Sequence, residues 1–162
     1  MTTTIMAQEA AEAPARIREQ LVSNAGVIAA VVSQIRQRQP KYVYMVGRGS
    51  SDHAGVFGKY LIETEVGLPV VAAAPSIASV YNKQLQLTDA LVICISQSGR
   101  SPDILAQVAM AKNAGALVVA LVNDTTSPLA EQADFVVPLF VGPEKAVAAT
   151  KSYLATLSAL LQ

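Results

Sequence analysis

Apolar residues in this chain gather in short unbroken runs, and between those runs they return every three or four places. YVYMVG (42–47), PVVAAAP (69–75), ALVICIS (90–96), ALVVALV (116–122) and DFVVPLF (134–140) are the unbroken runs. Continuous apolar runs, without in–out alternation, predict strands covered on both faces. Pro138 interrupts the last of them and places it at a sheet edge. The spacing between the runs predicts helices over 8–22, with Ile17 and Leu21 one turn apart and Pro14 weakening the start, and over 24–38, which Pro40 closes. Further helices are expected over 51–66, 76–82 and 101–113, with a short one from 127. A last helix is expected to open near Ala146 and run to Gln162.

Strands that alternate with helices make a doubly wound α/β fold. The expectation is a three-layer αβα sandwich of the flavodoxin-like type, with a five-stranded parallel sheet. Residues 1–40 read as helices packed on the domain, and 41–162 as the domain proper. The final helix carries Leu154, Leu157, Leu160 and Leu161 but has neither a glycine stop nor a basic last turn. It reads as a piece of a longer protein.

Composition narrows the function classes. A chain of 162 residues with 52% hydrophobic content supports one domain with a real core. Twelve basic and twelve acidic residues balance, so no basic face is implied and nucleic acid is not an expected partner. The apolar runs are too short to span a bilayer, so no membrane partner is expected. MTTTIMAQEA has no basic segment of the kind that opens a signal peptide. Cys94 is the single cysteine, which leaves no internal disulfide and points to a cytoplasmic setting.

In open α/β sheets, ligands bind beyond the carboxyl ends of the strands. The first strand ends in GRGSSDHAG (47–55), the third in SQSGRSPD (96–103), and the fifth leads to VGPEKAVAATK (141–151). Each turn leads into a helix N-terminus, where free backbone N–H groups and the helix dipole favour an anion. Gly49 and Gly99 let the backbone approach closely. Ser50, Ser51, Ser96, Ser98 and Ser101 add hydroxyl donors that bind phosphate without a metal. One serine per turn would be an ordinary helix cap; five in two turns point to a phosphate cradle.

Rival phosphate motifs fail on inspection. GRGSSD holds Asp52 where a dinucleotide-binding loop needs its third glycine, and no G-x-x-x-x-G-K-[ST] occurs. His53, the only histidine, reads as a helix-surface or capping residue, and a metal site has no support. Cys94, mid-strand, reads as an inert core residue. Arg48 and Arg100 flank the serine clusters and either meet a phosphate or face solvent. Lys145 and Lys151 straddle the start of the last helix, with Glu144 as an acid of its first turn.

These turns resemble those of the SIS (sugar isomerase) family. SQSGRSPD resembles the family's S-x-S-G-x-[ST]-x-[DE] phosphate loop, GRGSS its first serine loop, and EKAVAATK the segment that closes over the sugar. Within the family, the chain resembles SIS-type glucosamine-6-phosphate deaminases and the isomerase half of glutamine–fructose-6-phosphate aminotransferases. The resemblance implies a hexose phosphate or amino-sugar phosphate as ligand, no cofactor, and pairing through SIS domains into a homodimer. It implies phosphate contacts from Ser96, Gln97, Ser98, Gly99 and Ser101. It implies sugar contacts from Gly49, Ser50 and Ser51, and backbone contacts from Val147 and Ala149. The aminotransferases have a serine where Ala149 stands, which leans toward the deaminase, converting glucosamine-6-phosphate to fructose-6-phosphate and ammonia. The proton-shuttling glutamate of the family belongs to a second SIS domain, so the catalytic base is not assigned in this chain. The alternatives are a sugar-phosphate-sensing regulatory module and an aldose–ketose isomerase of the aminotransferase type.

Overall fold

The computed structural model describes residues 3–162. Two helices come first, α1 (Ile5–Ser23) and α2 (Ala25–Arg38). Then follow β1 (Tyr42–Val46), α3 (Ser50–Glu65), β2 (Val70–Ala72), α4 (Ser76–Ser79), β3 (Ala90–Ser96) and α5 (Pro102–Asn113). β4 (Leu117–Val122), α6 (Pro128–Gln132), β5 (Phe135–Pro138) and α7 (Lys151–Leu161) complete the chain. The five strands are parallel, in the order β2-β1-β3-β4-β5. The expected three-layer architecture and the edge position of the Pro138 strand are both present.

The unbroken apolar runs are explained by burial on both sides. Tyr44, Val46, Val92, Cys94, Val118, Ala120 and Val122 point to one face, where Ile104 and Val108 of α5 and Leu129 of α6 cover them. Val43, Met45, Leu91, Ile95, Val119 and Leu121 point to the other, under Val31 of α2 and Ala155 and Ala159 of α7. Alternate side chains thus enter separate cores, and both must be apolar.

Several boundaries differ from the sequence expectation. α1 begins at Ile5, not residue 8, because the Thr4 hydroxyl accepts the Ala7 N–H at 3.2 Å and caps it. Pro14 sits inside that helix and does not weaken its start. The run 69–75 is a strand only over Val70–Ala72, with one further bond to β1 at each end, from Val43 N to the Pro69 carbonyl and from Ala73 N to the Met45 carbonyl. Past it, the Ala74 and Pro75 carbonyls are taken by the buried Gln107 side chain, at 3.1 Å each. α4 stops at Ser79, not 82. The largest correction is α7, which opens at Lys151 and not near Ala146. Carboxylates capture amides before it and in its first turn: Glu144 accepts from Thr150 N and Ser152 N, and Glu9 from Lys145 N and Ala146 N. Those amides therefore have side-chain partners in place of helical ones.

α1 is held to the sheet end by buried amides. Gln20 donates to the Leu139 and Ala155 carbonyls at 3.2 and 3.0 Å, and Asn24 to the Pro138 carbonyl at 3.1 Å. Among the described residues, no helix is long and apolar enough to cross a membrane.

Candidate functional site

The strand order reverses between β1 and β3: β1 leads outward to β2 on one side, β3 to β4 and β5 on the other. A crevice opens at such a switch point, beyond the carboxyl ends of the two central strands. There Arg48, Ser50, Ser51, Ser96, Gln97, Ser98 and Ser101 line a cleft of about 190 Å³, floored by Ile95 and Ile104. A smaller cavity shares Ser50, Ser51 and Gln97 and adds Ser152, Tyr153 and Thr156 of α7. The two serine loops, about forty-five residues apart in the chain, therefore face one space.

Helix caps decide what those serines are doing. α1 and α6 are capped by side chains, Thr4 and Ser127. α2, α4 and α7 make no N-cap side-chain bond, and neither do α3 and α5, the two that open on the cleft. The N-cap of α3 is Gly49, which has no side chain to offer, and Ser101 at the N-cap of α5 makes no capping bond. In their place the Ser51, Asp52 and His53 N–H groups turn to the Arg48 and Gly49 carbonyls, and the Ile104 N–H to the carboxylate of Asp103; the positive ends of two helix dipoles still face the cleft, with no N-cap side chain between.

Ser96 differs from its neighbours. It is buried, and its Oγ accepts the Gly99 N–H at 3.0 Å. It shapes the loop while lining the cleft. The Gly99 carbonyl accepts Leu129 N–H at 3.2 Å, so the loop is pinned on both sides. Gly99 has φ +65°, and a Cβ built there would lie 2.1 Å from Ser127 Oγ. Glycine is required by conformation and by space.

Both arginines are paired with aspartates. Arg48 donates to Asp103, bridging the first serine loop to the start of α5. Arg100 donates to Asp124 at 2.9 Å. Hydrogen bonds from Thr126 and then from Arg100 hold the Asp124 carboxyl below its usual range. Gly49 precedes α3 with φ +57°, and His53 is exposed on that helix. Val147 is fully exposed and, like Ala149, lines neither cavity of the cleft. Cys94 is wholly buried in β3, and burial pushes its thiol up to about 12.

Another cavity, about 240 Å³, lies between α2, α3 and α7 on the other side of the fold. Its lining is aliphatic save for Gln162, so nothing there would replace the water around a phosphate.

Sequence reasoning missed Glu9 and Glu12. Both sit on α1; Glu9 reaches the segment before α7, and Glu12 Oε2 lies 2.7 Å from Nζ of Lys151, the first residue of α7. Two carboxylates three places apart on a helix carry no signal of a partner so distant in sequence.

Comparison with known proteins agrees with this geometry. Glutamine–fructose-6-phosphate aminotransferase [isomerizing] of Symbiobacterium thermophilum is 40% identical over 141 residues, covering 86% of this chain and 22% of that protein. The crystal structure of a provisionally assigned phosphosugar isomerase from Silicibacter pomeroyi DSS-3 superposes with a TM-score of 0.94 at 43% identity, over 98% of this chain and 49% of that one. The Vibrio vulnificus NanR protein, solved in complex with ManNAc-6P, shares the fold at a TM-score of 0.72 and 19% identity, over 97% of this chain and 57% of that one. The chain thus spans about a fifth of the aminotransferase and half of the isomerase structure. The SIS domain model matches residues 38–162, and with the serine-lined cleft at the β1–β3 switch point the chain belongs to the SIS domain family.

Proposed function

We propose that the cleft binds the phosphate of a hexose phosphate or amino-sugar phosphate, and that the domain serves a phosphosugar isomerase or deaminase. The observation that carries this reading is that the N-termini of α3 and α5, neither closed by an N-cap side chain, face one space lined by Ser50, Ser51, Ser96, Ser98 and Ser101. Ser98, Ser101, Gln97 and the Gly99 region would hold the phosphate, with Ser96 keeping the loop in shape. Gly49, Ser50 and Ser51 would meet the sugar, and the backbone at Val147 and Ala149 would close over it. No cofactor is required by this donor set. Binding energy at the phosphate would orient the distant C1–C2 bond for reaction.

The finer reading is glucosamine-6-phosphate: ring opening, transfer of the C2 proton to C1, then addition of water at C2 and loss of ammonia to leave fructose-6-phosphate. It is supported by the 40% identity to an aminotransferase named for fructose-6-phosphate. The proton transfer needs a base near neutral pKa. That base is expected from a second SIS domain, and a homodimer through SIS domains is part of the same reading. A sensor of the same ligands would bind them without turnover.

The test is calorimetric titration of the chain with glucosamine-6-phosphate, fructose-6-phosphate and unphosphorylated glucosamine. Binding of the phosphorylated pair alone, at roughly millimolar affinity or better (about 4 kcal/mol), supports the reading. Equal binding of free glucosamine overturns it.

A further inference from the structure

A carboxylate is rarely buried without a partner that meets its charge. Glu9 on α1 is 6% exposed, and its partners are two consecutive backbone amides. One oxygen accepts the Lys145 N–H, the other the Ala146 N–H at 3.1 Å. One turn further along α1, Glu12 meets Lys151 Nζ, a lysine 1% exposed at the first position of α7. Between these two holds runs the stretch that contains Val147 and Ala149.

The grip reaches the cleft. Glu144, beside the captured amides, accepts from Thr150 N at 2.9 Å, from Ser152 N at 3.3 Å and from Ser152 Oγ. Ser152 lines the cavity that Ser50, Ser51 and Gln97 also line. Glu9 itself lines neither the serine-lined cleft nor that cavity. It also lies outside residues 38–162, the part matched by the SIS domain model. We propose that Glu9 is a positioning residue for sugar recognition: from α1 it fixes the 143–150 segment, so that this segment meets the sugar end of a sugar phosphate anchored on the serine loops.

The inference rests on the cleft's being a sugar-phosphate site, and it assigns Glu9 to the sugar side only. The phosphate loop is pinned separately, by Ser96 and Leu129. A fault in the segment should therefore weaken recognition of the sugar and spare that of the phosphate. Preorganisation of a closing segment is worth affinity because less ordering remains to be done on binding.

The chain and its Glu9→Gln and Glu9→Asp variants would be titrated with glucosamine-6-phosphate and with inorganic phosphate, and amide exchange followed over 143–150. Gln leaves one captured amide without an acceptor; Asp keeps the charge but withdraws it by a methylene. The expected result is a loss of about tenfold or more for the sugar phosphate in Glu9→Gln, with inorganic phosphate little changed. Glu9→Asp should show the same split at smaller size. Exchange should quicken over 143–150 while β3 stays protected. Equal losses for both ligands, or no loss for the sugar phosphate, overturn the inference. If Glu9→Gln does not fold, Glu9→Asp decides on the same criteria. An unaltered chain that binds neither ligand overturns the reading of the cleft and this inference with it, whereas an unaltered chain that binds and a variant that binds equally overturns this inference alone.

Discussion

Gly99 and Ser127 are in contact at a distance that only a hydrogen on the Gly99 Cα allows: a Cβ there would fall 2.1 Å from Ser127 Oγ and 2.6 Å from Ser127 Cβ. Ser127 is fully buried and caps α6 through the Ala130 N–H. The phosphate-loop candidate is therefore seated on the start of another helix, and its shape depends on both. Gly99→Ala should lower stability by roughly 1–2 kcal/mol from the left-handed backbone alone, and by more from the collision. Adding Ser127→Gly, measured against Ser127→Gly alone, should recover the part due to the collision with Ser127 and leave the backbone part. Urea unfolding of the single and double variants checks this.

Ser96 and Ser98 should separate shape from binding. Ser98→Ala is expected to weaken sugar-phosphate binding by about 1.5–3 kcal/mol, the size of a hydrogen bond to a charged group, with the unfolding midpoint unmoved. Ser96→Ala leaves the Gly99 N–H without its acceptor and should lower stability by about 1–3 kcal/mol as well as weakening binding. Titration and unfolding on both variants give the comparison.

The Glu12–Lys151 pair makes an acid-sensitive contribution to stability. The hydrogen bond from Lys151, then its charge, holds the Glu12 carboxyl below its usual 4.5. A carboxyl lowered in the folded state stabilises fully above its unfolded value, and the gain is lost as pH falls through the lowered folded value. The contribution should therefore be intact above pH 4.5 and fade below it. Glu12→Gln should remove that part of the acid loss in urea midpoints taken between neutral and acid pH.

Lys151 itself should be easier to replace than to strand. With its partner gone it is a buried ammonium, which is costlier than an apolar side chain of similar length. Glu12→Gln together with Lys151→Met should unfold at a higher urea concentration than Glu12→Gln alone at neutral pH.

Cys94 should be silent to thiol reagents in the folded chain. Burial raises its thiol to about 12 and removes access, and the thiolate is the reactive form. A colorimetric thiol reagent near pH 8 should react only on unfolding.

By itself the sequence determined the layers, the strand membership and the two serine loops. These follow from local rules: a strand buried on both faces must be apolar at every position, as in Val43–Val46 and Leu91–Ile95, and a glycine–serine turn before a helix is a local arrangement of amides and hydroxyls. Parallel pairing then puts β1 and β3 side by side, so that GRGSS and SQSGRS share one cleft. What only the tertiary structure decided is which polar groups satisfy one another. Ser96 serves its own loop, Arg48 is tied to Asp103, and the segment from Glu144 to Thr150 is not the first turn of α7. Its amides go to Glu144 and, from the far end of the chain, to Glu9. A buried carboxylate takes whichever N–H groups the fold brings within 3 Å or so, and distance along the chain carries no information about which those are.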